Sequence, residues 1–275
     1  MSAPVITFLS DYGYRDEFVG VCHGVIARRC PAARIIDLTH GIARHDVRAG
    51  ALALRAALPY TPAGVHLAVV DPGVGGARRA IALATQQQSR FLVGPDNGLL
   101  LDGAALFGGV REAVDVGASS EALSPVSATF HGRDIFAPVA AALADGSALA
   151  ELGRSVEPGT LVELASSQTA KQTDTDGRGY ALVARVLSID GYGNVALNAT
   201  GVAFVGAGEA AADVVVETAG ERTKVALRRT FGDVEAGELV AYVDSRGALA
   251  LAVNGASAAE RLGLSRDDVV TLRFR

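Results

Sequence analysis

Three carboxylates follow short apolar runs at points where the chain turns: Asp11 in SDYG, Asp71 in DPGVGGARR and Asp96 in PDNG. Aspartate beside Gly or Pro is an ordinary turn residue, so any one of them alone could be only that. Together they suggest a polar site at one edge of a sheet, because ligands of open α/β sheets gather outside the carboxyl ends of the strands. A carboxylate placed there can accept hydrogen bonds from two vicinal hydroxyls at once or take a proton from a nucleophile. Arg78 follows Asp71 by seven residues. It could neutralise that carboxylate in a desolvated site, or form a surface ion pair of little worth. His131, in TFHGRD, stands next to Gly132 at the expected start of a helix, where polar and anionic ligands are favoured. The other histidines, His23, His40, His45 and His66, fall in helix, strand-end or strand contexts and read as structural.

Several chemistries are disfavoured. Gly73, Gly75 and Gly76 would let backbone approach a ligand closely, but a phosphate-cradling loop must open a helix, and Arg79–Ala84 reads as a strand. Asp11, Asp71, Asp96 and His131 could be combined into a metal hydrolase, yet there is no HExxH, no histidine pair at helical spacing and no Asp-rich calcium loop. GxSxG, the serine-nucleophile signature, is missing as well. No metal and no organic cofactor is expected.

The elements that must hold these groups are legible as two textures. In the first half, strand candidates Val5–Ser10, Ile35–Thr39, Val65–Val70, Ala80–Ala84 and Phe91–Val93 alternate with helix candidates Asp16–Arg29, Asp46–Leu58 and Arg133–Ala144. Asp46 is the expected N-cap of the second helix. This predicts residues 1–165 to be an α/β domain with a central, mostly parallel sheet covered by helices. Residues 166–179 are polar and read as a linker. From Tyr180 the runs Ala181–Ile189, Val195–Asn198, Asp213–Glu217, Thr223–Leu227, Leu239–Val243, Ala248–Val253 and Val269–Phe274 predict a smaller all-β sandwich or barrel over 180–275.

With 275 residues, 49% hydrophobic, there is enough chain for two cores. The net charge of −5 and the absence of any basic run give a poor start for nucleic-acid binding. No apolar run approaches the roughly 20 residues that span a bilayer, and the first residues do not read as a leader, so a cytoplasmic protein is expected. Cys22 and Cys30 are the two cysteines, too few for a disulfide framework.

The ordered set SDYG, DPGVGGARR, GPDNG, TFHGRD, IDGYGN and DSRGALALAVN resembles the S-adenosyl-L-methionine hydroxide adenosyltransferases, relatives of the enzymes that make 5′-fluoro- and 5′-chloro-5′-deoxyadenosine. The likeness covers nearly the whole chain. It implies hydrolysis of S-adenosyl-L-methionine to adenosine and methionine, and a homotrimer with substrate between neighbouring subunits. It implies a water-activating triad at Asp71, Arg78 and His131, with Arg78 chosen over Arg79 by motif spacing alone. By the same resemblance Asp11 grips the ribose, Phe130 and Tyr192 pack near the nucleoside, and Asn194 contacts adenine. Asp190, Ser245 and Arg246 surround the methionine end. Where the halogenating relatives carry a halide-binding serine this chain has Gly132, and where fluorinases place a serine it has Phe18. A halide-using adenosyltransferase and a nucleoside-binding module without turnover are the alternatives.

Overall fold

A computed structural model of the chain describes residues 3–165, 170–173, 180–200, 213–218 and 221–274. The chain divides into two compact units, Met1–Leu164 and Ala165–Arg275. Among the described residues no helix is long and apolar enough to cross a membrane.

The first unit is built on a seven-stranded sheet. Its strands are β1 (Val5–Ser10), β2 (Arg34–Thr39), β3 (Val65–Val69), β4 (Ala80–Thr85), β5 (Phe91–Pro95), β6 (Val110–Asp115) and β7 (Arg154–Val156), in the order β2-β1-β3-β5-β4-β6-β7. β2, β1, β3 and β5 run parallel, and β4, β6 and β7 join antiparallel. Parallel strands are covered on both faces, which is why they read as continuous apolar runs. β3 and β4 are buried along their whole length.

Helices α1 (Phe18–Arg29) and α4 (Ala137–Ala144) cover one face, where Val19, Cys22 and Ile26 pack with Ile6 and Phe8 of β1. On the other face α2 (Val47–Ala57) and α3 (Leu101–Ala105) bury Ala51, Leu54 and Ala104 against Leu9, Ala68 and Leu92. Each large aliphatic or aromatic side chain so buried contributes roughly 1.5–3 kcal/mol. The expected cap is present: the Asp46 carboxylate accepts the Ala49 N–H at 2.9 Å, satisfying one otherwise orphaned donor. The helix expected from Arg133 begins differently. Gly132–Phe136 forms a π-type turn, closed by the Ala137 N–H on the Gly132 carbonyl, before α4 proper.

The second unit is a closed barrel. β9 (Tyr180–Ile189), β10 (Val195–Thr200), β11 (Asp213–Thr218), β12 (Glu221–Leu227), β13 (Leu239–Val243), β14 (Ala248–Val253) and β15 (Val269–Phe274) pair in the order β10-β14-β13-β12-β11-β15-β9, and β9 returns to β10. Of the sequence expected as a linker, residues 166–169 and 174–179 lie outside the described residues. Within it β8 (Ala170–Thr173) pairs antiparallel with β9. Val186, Leu197, Val214, Val216, Leu251 and Leu272 are among the residues that fill the interior. The short helix α5 (Ala258–Leu262) is capped by Ser257 and ends at Gly263.

Candidate active site

Strand order brings the three carboxylates to one edge. β1, β3 and β5 are parallel neighbours, so Asp11, Asp71 and Asp96 all follow carboxyl ends of adjacent strands. The structure then separates their jobs. Asp96 is buried and committed: its Oδ2 accepts Arg79 Nε at 2.7 Å and its Oδ1 the Val162 N–H at 2.9 Å. Arg79 also donates to Thr160 Oγ1 at 3.0 Å. This pair therefore ties residues 160–162 to the end of β5.

Asp71 pairs with the other arginine. Arg78 Nε donates to Asp71 Oδ1 at 2.9 Å while its Nη2 donates to Oδ2, a bidentate fork. The same Nη2 lies 2.8 Å from His131 Nδ1. The side chains of Arg78 and Asp71 are only 11% and 6% exposed. An isolated charge there would be strongly disfavoured, so each stabilises the other. Arg78 also lies 5.3 Å from the centre of the Phe136 ring.

The protonation state of His131 follows from its partner. A guanidinium only donates, so Nδ1 must accept and the neutral ring carries its proton on Nε2. The pKa of His131 is lowered by burial and by the Arg78 charge, with Asp71 and Asp134 opposing. Those causes agree with the hydrogen-bond geometry.

Two local features bring Arg78 and His131 together. Gly75 has φ +73°, and a Cβ on it would fall 2.2 Å from the Ala128 carbonyl oxygen. The DPGVGG loop can thus lie directly on the segment that leads to His131. Behind that segment, buried Asp134 accepts the Ser127 N–H at 2.8 Å and Arg133 Nε at 2.6 Å. Burial opposes ionisation of Asp134, but these hydrogen bonds prevail and hold its pKa low.

Asp11 leaves β1 with its own N–H on the Val69 carbonyl at 3.4 Å, and its Oδ2 accepts the His45 N–H at 2.9 Å. Phe130 joins an edge-to-face group with Tyr12, 5.7 Å between centroids, and Phe18, 5.2 Å. Phe18 thus stands beside the same aromatic group as Phe130, which motif spacing alone did not show. Asp11, Phe130 and the Asp71–Arg78–His131 chain all belong to the first unit.

The remaining expected residues belong to the barrel. Asp190, Tyr192 and Asn194 share the turn between β9 and β10. Asp190 Oδ1 accepts the N–H groups of Tyr192 and Asn194, and its Oδ2 accepts Asn194 Nδ2 at 2.9 Å. Any ligand contact by the Asn194 amide must share or replace that bond. Tyr192 is 84% exposed. Ser245 and Arg246 lie in the turn before β14, where Asp244 Oδ1 accepts the Arg246 N–H at 2.8 Å. The Tyr242 phenol is pushed up by burial and then by Asp190 and Asp244, so it feels the charges of both turns.

One cluster read as structural gathers three side chains of metal-ligating type. Ligand atoms of His23, Asp37 and His40 lie within 4.8 Å of one another. Asp37 Oδ1 is 2.9 Å from His23 Nε2 and 3.1 Å from His40 Nε2, while His40 Nδ1 meets Ser10 Oγ at 2.7 Å. The cluster also links α1 and β2 to the end of β1 through the His23–Asp37 and His40–Ser10 contacts, and burial lowers the His40 pKa.

Comparison with known proteins places these motifs. The family model described as SAM hydroxide adenosyltransferase N-terminal domain matches residues 6–153, and the corresponding C-terminal domain model matches residues 184–271. The (R)-S-adenosyl-L-methionine hydrolase of Salinispora tropica is 51% identical over 265 residues, 96% of each chain. The crystal structure of an uncharacterized conserved protein from Thermotoga maritima superposes with a TM-score of 0.87 at 35% identity, covering 97% of this chain and 99% of that one. A fluorinase of Actinoplanes sp. is 28% identical over 98% of this chain and 97% of its own length.

Proposed function

The chain belongs to the SAM hydroxide adenosyltransferase family, and from that footing we infer how it acts: it hydrolyses S-adenosyl-L-methionine to adenosine and L-methionine. The observation that carries the reading is the half-buried Asp71–Arg78–His131 chain at the carboxyl edge of the parallel strands. The sulfonium leaves as a neutral thioether, so the leaving group needs no acid. The difficulty lies with the nucleophile, since neutral water is weak and hydroxide scarce near neutral pH. Water attacks C5′, the C5′–S bond breaks with its electron pair passing to sulfur, and the water gives up a proton.

Arg78 supplies the fixed positive charge that favours loss of that proton. His131, with Nδ1 engaged by Arg78, offers Nε2–H, a donor. Asp71 therefore serves as the proton acceptor, because a carboxylate held by a fork still has free lone pairs. Alignment of the water with the C5′–S bond adds a positional gain of up to several kcal/mol. Asp11 accepts hydrogen bonds from the ribose 2′- and 3′-hydroxyls, and Phe130 packs near the nucleoside. Tyr192 and Asn194 contact the nucleoside; Asp190, Ser245 and Arg246 bind the amino and carboxylate groups of methionine.

This chemistry calls for no metal and no organic cofactor. The assembly we propose is a homotrimer with substrate between neighbouring subunits, to be tested by light scattering during size-exclusion chromatography. A cytoplasmic setting goes with it, since Cys22 and Cys30 are free thiols, suited to a reducing compartment.

Incubation with S-adenosyl-L-methionine in ¹⁸O-water tests the reaction. Label in the 5′-hydroxyl of adenosine supports attack at C5′. Tight binding with no adenosine would favour a binding module, and a 5′-halogenated nucleoside formed only with added halide would favour halide transfer.

A further inference from the structure

Tyr12 has no role in the site described so far. It follows Asp11 directly as the chain leaves β1, and its N–H donates to Ser10 Oγ at 3.2 Å. Its ring is held edge-to-face by Phe8 at 6.4 Å, Phe18 at 5.9 Å and Phe130 at 5.7 Å. The far end of that ring runs to the backbone of Gly132. A Cβ built on Gly132, the residue after His131, would fall 2.0 Å from the phenol oxygen and 3.1 Å from Cζ. The phenol therefore occupies the volume that any side chain at position 132 would need. Asp11, Asp71 and Arg78 all act on it electrostatically. Among the described residues no protein group hydrogen-bonds to the hydroxyl, which leaves its donor and acceptor capacity for a small molecule.

We propose that Tyr12 completes the nucleophile's site: its hydroxyl, wedged against Gly132, hydrogen-bonds to the attacking water and closes the space to larger nucleophiles. The inference rests on the hydrolase reading and deepens it by naming what selects water. Burial and the neighbouring carboxylates push the phenol pKa well above 10, so the group stays neutral and keeps its proton through the reaction. Its part is to orient the water. In the reaction it orients, the new bond joins oxygen to C5′, the C5′–S electrons leave with methionine, and the proton passes to Asp71.

Tyr12→Phe keeps the ring packing and removes only the oxygen. The expected result is a fall in kcat of about tenfold, the scale of one neutral hydrogen bond, with KM for S-adenosyl-L-methionine within about threefold of wild type. In molar azide the variant, and not the wild type, should yield 5′-azido-5′-deoxyadenosine, azide displacing methionine at C5′ as water does. Gly132→Ala attacks the same contact from the other side by displacing the hydroxyl with Tyr12 retained. It should show the same kcat loss and a lower thermal midpoint, and the double variant should recover part of that midpoint because the 2.0 Å clash is gone. If Tyr12→Phe fails to fold, Gly132→Ala gives the same kinetic and azide readouts.

Wild-type kcat with no azide product in either variant would overturn the proposal, and so would a rise in KM at unchanged kcat. Wild-type enzyme that releases no adenosine would instead sink the hydrolase reading. The two failures are separate.

Discussion

Arg78→Lys, set against Arg79→Lys, is the most searching substitution. The arginines are neighbours in sequence yet serve different ends. Arg78 makes a fork on Asp71 and reaches His131 Nδ1, while Arg79 holds Asp96 and Thr160. Lysine keeps the charge but offers a point-like ammonium that cannot reproduce a planar fork, so at least two of the three bonds from position 78 are lost. A hydrogen bond involving a charged group contributes about 1.5–3 kcal/mol, and two at the low end amount to about 3 kcal/mol. If those bonds hold the triad in the transition state, kcat falls by about 10²-fold. Arg79→Lys should leave kcat within about threefold. It should instead lower the thermal midpoint by about 2–4 °C per kcal/mol lost, because it loosens residues 160–162. Adenosine release followed by liquid chromatography over a substrate range, with a thermal melt of each variant, reads both effects. Near-normal turnover in Arg78→Lys alongside a hundredfold loss in Arg79→Lys would refute the assignment.

Asp71→Asn and His131→Ala should each slow turnover by about 10²-fold or more, the scale of lost acid–base help; wild-type rates in both would discard the triad. Asp11→Asn should raise KM for S-adenosyl-L-methionine more than it lowers kcat, and the opposite split in steady-state kinetics would argue against a ribose grip. His131 must be neutral to accept from Arg78, and its pKa is lowered by burial and by that arginine. Activity should therefore persist below the ordinary histidine range and fall only as pH drops through the lowered value. A loss of kcat with a midpoint above pH 6.5 that His131→Ala abolishes would contradict this. His66 is held down to about 3 by burial and Arg90, so its contribution to stability is complete above pH 6.5. That contribution declines by about 1.4 kcal/mol per pH unit as pH falls toward 3; urea melts of wild type and His66→Gln should show a flatter pH dependence in the variant.

What could be read beforehand follows from burial. β1, β3, β4 and β5 are apolar because both faces are covered, and their runs announce themselves. β6 carries Arg111 and Glu112, and β7 has only three residues, so neither stands out from a loop. Asp46 declared its cap by type and position, and the structure has that hydrogen bond. The start of α4 was hidden, since GRDIF has nothing to distinguish a π-type turn from an α-turn; tertiary packing selects between them. Motif spacing puts Asp71, Arg78 and His131 forward together, but only the fold shows that Arg78 rather than Arg79 turns toward His131. Adjacent side chains near a strand start point to opposite sides, and spacing cannot tell which side is which. Tyr12 went unassigned because its relevant neighbour, Gly132, is 120 positions away in the chain.

The π-type turn at Gly132–Phe136 sets local regularity against the position of His131. Such a turn accommodates one residue more than an α-turn. Deleting a single residue inside it would let α4 extend backward as a regular helix, and the shortened segment could gain stability of its own. The same deletion would swing His131 about 100° around the axis, taking Nδ1 away from the guanidinium. A chain selected only for resistance to heat would be free to drop that residue; one that keeps His131 Nδ1 on Arg78 must keep the irregularity.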